Sequence, residues 1–504
     1  MILRSNSLLL SPILAPLLML LLWSGCGGNG HDEGPRFSQE DMSSQLVLKE
    51  DWAIQSAAEV PENGEVISTA GFSPQNWFPT SVPSTVLAAL VENNVYPDPY
   101  FAMNLRSIPG TTYPLGVNFS NFPIPLDSPF RSSWWYRTEF FLPEDYSERT
   151  IYLHFNGINF RANIWVNGIL IADSKKVAGT YRVYEFNITN LALPGEANCL
   201  AVEVFPPKVL DLAHTWVDWN PMPPDKDMGI WREAYLTTSG PVALRDTQVI
   251  TDVDTPSLKA AHLTIYTEVL NTTDQPLKGT LQGDIEGIEF SRTVDLGPQE
   301  SRRVTFSPEE SSQLTFSRPR VWWPAQLGSQ PLYDLQMVFE LDGKVSDRRS
   351  VRFGIREVSS DLNEHGYRLF KINGENILIR GAGWTPDMMF RSSPEREETE
   401  IRYVRDLNLN AIRLEGKLGS DHLLDLCDTY GILVIAGWCC CDQWERWFLW
   451  DDEDYTVAAE SLKSQLLRLR NHPSLIAWLN GSDGHPPQDV EQMYIDILES
   501  DTFR

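Results

Sequence analysis

The apolar pattern of this 504-residue chain changes period once, near residue 357, and that single change restricts the folds open to it. Upstream, the pattern is one of short alternating segments. Trp134 to Leu142 and Thr150 to Phe155 read as strands, and Asn163 to Val166 runs through Asn167-Gly168 into Ile169-Leu170-Ile171. Asn-Gly between two apolar runs is a strong hairpin signal, because both positions must tolerate positive φ. Many strands with few helical periods over residues 46–239 predict a jelly-roll sandwich. Residues 240–356 continue the pattern with Ala261 to Leu270, Arg302 to Ser307 and a hairpin across Asp342-Gly343. At about 115 residues this stretch has the size of an immunoglobulin-like β-sandwich.

Downstream of Glu357, strands and helices alternate. Ile377 to Gly381, Asn410 to Glu415, Ile432 to Gly437 and Leu475 to Asn480 read as strands. Helical periods follow each of them, at Pro394 to Leu407, His422 to Tyr430, Thr456 to Arg470 and Val490 to Glu499. Such alternation predicts a parallel sheet with right-handed crossovers. Four units make the first half of an eight-stranded TIM barrel, a fold in which side chains at the strand C-termini carry the chemistry. Those ends hold Trp384 and Asp387, then Glu415, then Trp438 and Asp442, then Asp483.

The length is consistent with about three domains. With 68 acidic against 41 basic side chains the formal charge is −27, which argues against a nucleic-acid partner. An acidic surface suits either a soluble exported protein or one with a cationic substrate. At the N-terminus, Arg4 precedes an apolar run from Leu8 to Trp23 that is broken by Pro12 and Pro16, the pattern of a signal-peptide core. The run ends Leu22-Trp23-Ser24-Gly25-Cys26 and is followed by Gly27-Gly28-Asn29-Gly30, which resembles a bacterial lipoprotein box with Trp23 in place of the usual Leu. Processing there would acylate Cys26, leave residues 26–45 as a linker, give a mature charge of −28, and anchor the protein in the bacterial cell envelope. The alternative is ordinary secretion. No C-x-x-C pair or His spacing suggests a metal site, and no cofactor is expected.

Several runs, in order, carry a resemblance to a known family. They are Val217 to Arg232 (Val-Asp-Trp-Asn-Pro-Met-Pro-Pro-Asp-Lys-Asp-Met-Gly-Ile-Trp-Arg), Gly383-Trp384-Thr385-Pro386-Asp387, Arg413-Leu414-Glu415-Gly416 and Gly437 to Glu445. Arg470-Asn471-His472-Pro473-Ser474 and Asn480-Gly481-Ser482-Asp483 complete the series. From about residue 46 onward the chain resembles glycoside hydrolase family 2, and within it the exo-β-D-glucosaminidase branch that trims chitosan. The resemblance implies a retaining hydrolase of terminal β-linked sugars, with a carbohydrate as its partner.

The family usually ends its fourth barrel strand in Asn-Glu, whereas the glucosaminidase branch has Ser-Asp there, matching Ser482-Asp483. Asp483 is thereby assigned as general acid/base. Cleavage needs a carboxylic acid beside the leaving oxygen that later acts as base toward water. The competing role for Asp483 is capping a following helix. Asp387 matches the residue that contacts the substrate amine. The second amine partner of the family, a Glu, is replaced here by Cys439, which relaxes the preference for amino sugars. Glu415 either supplies a replacement charge or pairs with Arg413. Trp384, Trp438 and Trp444 either stack on sugar or pack in the core, and Asp218 and Trp219 line the pocket rim or form a buried interdomain turn.

The family's nucleophile lies on a late barrel strand, typically the seventh, and no residue here matches it. The sequence therefore reads as a C-terminally truncated member, expected to be nearly inactive and poorly folded after about residue 360. β-Mannosidase and β-galactosidase are the alternative activities, and a non-catalytic carbohydrate-binding surface lipoprotein is the alternative class.

Overall fold

The computed structural model describes residues 45–113, 119–214, 222–391, 393–438, 440 and 442–500. In it, Trp134–Phe141 lies within a six-stranded antiparallel sheet between Trp52–Ser56 and Ala197–Phe205. A second sheet of Leu46–Val47, Ala234–Ser239, Thr150–Phe155 and Tyr184–Asn187 shares its apolar core. Strict alternation fails over residues 134–138, all of them buried, because the outer face of the sheet is covered too: Trp135 packs with Val60, Ile67 and Ala201. The hairpin at Asn167-Gly168 has φ of 48° and 84°, the left-handed values its residue types favour.

The second module is also a sandwich. Ala260–Asn271 buries every second residue along its length, so one face of the strand belongs wholly to the core. It pairs with Val242–Val253 and Ser301–Phe306. A facing sheet of Ile288–Leu296, Leu277–Ile285, Tyr333–Leu341 and Lys344–Phe353 fills the other side of that core.

A small antiparallel sheet, Val358–Leu362, Arg368–Ile372 and Glu375–Ile377, precedes the parallel one. Here the sequence reading needs correction. Ile377 does not open the barrel; it joins Trp322, Ile372 and Leu433 in a separate apolar cluster. The first parallel strand is β1, Gly381–Gly383, followed by α1, Pro394–Asp406. Then come β2 (Ala411–Glu415), α2 (Asp421–Tyr430), β3 (Leu433–Gly437), α3 (Asp452–Leu469), β4 (Leu475–Leu479) and α4 (Gln488–Ser500). The four strands are parallel and in sequential order, the first half of a TIM barrel. Gly381 permits the close approach of β1 to β2, since a Cβ there would stand 2.3 Å from the carbonyl oxygen of Ala411. Helix α3 starts before its apolar period does, because Asp451 and Asp454 form a capping box.

Two seams join the modules. The first sandwich meets the barrel where the indole of Trp444 donates to the carbonyl of Ala213 (2.9 Å) and Gln465 donates to that of Tyr181 (2.6 Å). Arg161 grips Glu453 through both guanidinium nitrogens, at 2.6 and 2.7 Å. The second sandwich meets it through the Arg470–Ser474 run. Asn471 donates to the carbonyl of Thr247 (2.9 Å) and accepts from the N–H of Val249 (3.0 Å). Beside it, Asp428 accepts from the His472 ring (2.6 Å) and the Ser474 N–H (3.0 Å).

Two outcomes follow from these seams. Truncation of Trp444 to Ala is expected to cost about 3–5 kcal/mol, measured by urea denaturation, because the site cannot collapse onto the lost volume. The second concerns pH. Burial opposes a charged His472, but the charge and hydrogen bond of Asp428 outweigh it and hold the pKa above 6.5. A raised folded-state pKa gives stability that is complete below 6.5 and is lost as the pH climbs through the folded value. The gap in urea midpoint between the unaltered chain and His472→Gln should therefore be widest near about pH 6 and shrink toward about pH 9. A gap independent of pH would rule the ion pair out.

Candidate active site

Residues two apart on a strand share a face, so the end of β2 presents Arg413 and Glu415 side by side. Across β3, the segment after β4 brings Ser482 to both of them. Arg413 Nη2 donates to Ser482 Oγ (2.6 Å), and that hydroxyl donates to Glu415 Oε1 (2.9 Å). Arg413 Nη1 lies 3.6 Å from Glu415 Oε2, closing a three-member ring of side chains. Of the two roles open to Glu415, the ion pair with Arg413 is the one formed.

Glu445 carries no role in the sequence pattern. The structure puts its Oε1 opposite the backbone N–H groups of Ser482 (2.6 Å), Asp483 (2.8 Å) and Gly484 (3.4 Å). This contact spans 37 or more residues and reaches only backbone, so no sequence period marks it. Asp483 is exposed between β4 and α4. Helix α4 starts only at Gln488, so Asp483 is not its cap. Its candidacy as acid/base thus rests on a strand-end position beside the Arg413–Glu415–Ser482 ring.

The other candidates do not gather here. Asp387 is buried, with Oδ1 accepting from Arg391 Nε (3.1 Å) and the Met389 N–H (2.9 Å). Its Oδ2 accepts from Arg391 Nη2 (3.0 Å) and Arg396 Nη1 (3.4 Å). Two guanidiniums thus flank this carboxylate, and an ammonium reaching it would share it with them or displace them. The Trp384 indole donates to Glu400 Oε2 on α1 (2.9 Å). Trp384 and Asp387 line a cavity of about 620 Å³ between the first sandwich and the α1 side of the barrel, with Trp231, Arg232, Lys417 and Ser420. Glu415, Ser482 and Asp483 are not among its walls.

Trp438 and Trp444 need a second correction. They are 1% and 2% exposed, and their rings stack on each other at 4.5 Å with an interplanar angle of 20°. Tyr181 of the sandwich packs 5.4 and 5.5 Å from them, and Trp478 meets Trp438 edge-on at 5.0 Å. Their faces are spent on protein, so the core-packing alternative holds and sugar stacking does not. Asp218, Trp219, Cys439 and Cys26 lie outside the described residues. Asp425, Asp428 and His472 bring possible metal-ligand atoms within 4.8 Å of one another, but Asp428 and His472 are already committed to each other at the second seam.

Deep burial shifts other groups nearby without placing them at the strand ends. Lys226, over the Phe119 ring at 4.9 Å, donates to the carbonyls of Ser120 (3.3 Å) and Phe122 (2.5 Å), and burial lowers its pKa to about 8. Burial also pushes Asp225 up, against the N–H of Leu87 that holds it at 2.7 Å. This turn, the described part of the Val217–Arg232 run, braces the sandwich.

Comparison with known proteins adds a family to this geometry. Residues 126–211 match the glycosyl hydrolase 2 galactose-binding domain-like model, residues 242–356 the glycosyl hydrolases family 2 model, and residues 366–504 the family 2 TIM barrel domain. An exo-β-D-glucosaminidase of Streptomyces avermitilis is 38% identical over 483 residues, covering 94% of this chain and 51% of that enzyme. One of Amycolatopsis orientalis is 36% identical over 460 residues, covering 90% and 42%. The crystal structure of the Amycolatopsis orientalis exo-chitosanase CsxA superposes with a TM-score of 0.83 at 34% identity, covering 91% of this chain and 52% of that one. The chain spans about half the length of the curated relatives it matches. With three successive modules matched in order, the chain belongs to glycosyl hydrolase family 2.

Proposed function

We propose that this chain supplies the acid/base half of a retaining exo-glycosidase for terminal β-linked sugars, with β-D-glucosaminides of the chitosan type as substrate. The observation that carries the reading is Ser482-Asp483 at the end of β4. Its serine is locked by Arg413 and Glu415 and its backbone by Glu445, in a chain 38% identical to an exo-β-D-glucosaminidase. Asp483 protonates the glycosidic oxygen as the bond breaks, then takes a proton from the water that releases the sugar. A retaining reaction also needs a second carboxylate about 5–5.5 Å from the first. The family resemblance places that nucleophile on a later strand than the four described here. Glu415 and Glu445, the carboxylates at this loop, are engaged by Arg413 with Ser482 and by backbone N–H groups.

We further propose that the protein is exported and lipid-anchored through Cys26 to the bacterial cell envelope. The apolar run from Leu8 to Trp23, with Ser24-Gly25 before the cysteine and a glycine-rich stretch after it, supports this reading.

Assayed on an aryl β-D-glucosaminide in the full gene product, including whatever follows Arg504, Asp483→Asn should lower kcat/KM by about 10²- to 10⁴-fold. The loss should be smaller for aryl groups that leave without protonation. An unchanged rate on a poor leaving group would remove Asp483 from the mechanism. Residues 26–504 alone should turn over near background; robust turnover with a trapped covalent intermediate would place the nucleophile among them. For the anchor, Cys26→Ser should abolish incorporation of a labelled fatty acid during expression in a bacterial host, and equal labelling of both forms would refute it.

A further inference from the structure

We propose that Glu445 is a positioning residue for Asp483: a carboxylate clamp that fixes where the acid/base side chain stands. The proposal rests on the assignment of Asp483 above. Successive N–H groups of a loop form a concavity that binds anions, and the anion here is the protein's own. One oxygen of Glu445 receives the N–H groups of residues 482, 483 and 484 at 2.6, 2.8 and 3.4 Å. Hydrogen bonds to a charged acceptor are shorter and stronger than neutral ones, so this loop is held more firmly than its lack of regular structure suggests.

Both ends of the clamp are themselves fixed. On one side, Glu445 closes a single helical turn, Gln443–Glu445, capped by Asp442, whose Oδ1 accepts the Trp444 N–H at 2.9 Å. Trp444 is tied to the first sandwich by its bond to Ala213, and the Trp450 indole donates to the carbonyl of Gln443 at 2.7 Å. On the other side, the Ser482 hydroxyl sits between Arg413 and Glu415. The loop also folds back on itself. A Cβ at Gly481 would stand 2.5 Å from the carbonyl oxygen of Gly484, so a bare glycine is needed beside the clamp. With the backbone of residues 482–484 and the Ser482 side chain fixed, the Cα from which the Asp483 carboxyl projects is held in place. Misplacing a catalytic group by about 1 Å costs on the order of a hundredfold in rate, which is the scale of effect such a clamp protects.

The test compares the unaltered full gene product, including whatever follows Arg504, with its Glu445→Ala, Glu445→Gln and Asp483→Asn forms. Affinity for a glucosamine-configured castanospermine is measured by calorimetry, and hydrogen exchange of residues 480–487 by mass spectrometry. Glu445→Ala is expected to weaken binding about tenfold or more and to speed exchange in the loop about tenfold, with exchange elsewhere unchanged. Glu445→Gln, which keeps an acceptor oxygen, should restore part of both. A faster loop with unchanged affinity would make Glu445 a mere staple and overturn the proposal while leaving Asp483 in place, provided Asp483→Asn lowers kcat/KM on an aryl β-D-glucosaminide. If Asp483→Asn turns over a substrate with a poor leaving group as the unaltered protein does, the assignment of Asp483 fails and the clamp's role fails with it. Should Glu445→Ala loosen the whole molecule, Glu445→Gln decides: weak binding over a protected loop overturns positioning, and partial recovery of both supports it.

Discussion

The stack of Trp438 on Trp444 is the contact on which the rest of the barrel half depends. Trp438 follows β3 directly, Trp444 sits on the turn that carries Glu445, and Tyr181 of the first sandwich touches both rings. Trp478 of β4 closes the cluster edge-on, and Trp231 stands edge-on to Tyr181 at 6.0 Å. Such ring pairs contribute about 0.5–1.5 kcal/mol each beyond the area they bury. Their larger effect is geometric. Close-packed interiors do not deform gradually, so the sandwich, the ends of β3 and β4 and the Glu445 turn are held as one arrangement. A family that builds its site at barrel strand ends here uses a β-sandwich to set the height of one of those ends.

The module seams share a second device, arginine aimed at backbone carbonyls. Arg232 donates to Leu418 and Gly419, Arg356 to Pro473 and Leu475, and Arg470 to Asp246. Burial lowers the pKa of Arg232 to about 9 and of Arg356 to about 10, a measure of what it costs to dehydrate a guanidinium there. A rigid fork of donors nonetheless suits carbonyls in loops, at a strand start and at an irregularity within a strand, which are the ones named here. Buried charge of this kind is weak evidence for stability but strongly favours one register of docking, since a shifted seam would strand both the cation and the carbonyls.

The sequence made the fold class legible because the signals for it are local. Asn167-Gly168 and Asp342-Gly343 need positive φ, Ala260–Asn271 alternates, and Ser420 and Gly431 bracket a helix. The start of β1 is not legible in the sequence, because Ile377, apolar and β-branched, fits a barrel strand and a small antiparallel sheet equally well. Ring exposure was not legible either. An indole near a strand end has two faces, and only the packed structure shows that Trp444 stacks on Trp438 while Tyr181 and Trp478 pack around it. The pairing of Asp387 with Arg391 did have a signal, the spacing of four residues, but the expected amine role obscured it. Glu445 had no signal, since a side chain bonded to distant backbone leaves no mark on either segment.

The carboxylates around the strand ends differ in their partners more than in their number. An ammonium group on a sugar is recognised by an acceptor whose charge is not already neutralised at close range. Asp387 faces two guanidiniums, Glu415 faces one, and Glu445 faces three peptide dipoles. Asp387 shares Arg391 with Asp98, which the same guanidinium contacts at 2.9 Å, so the charge at Asp387 is balanced by an ion-pair relay that reaches the edge of the first sandwich.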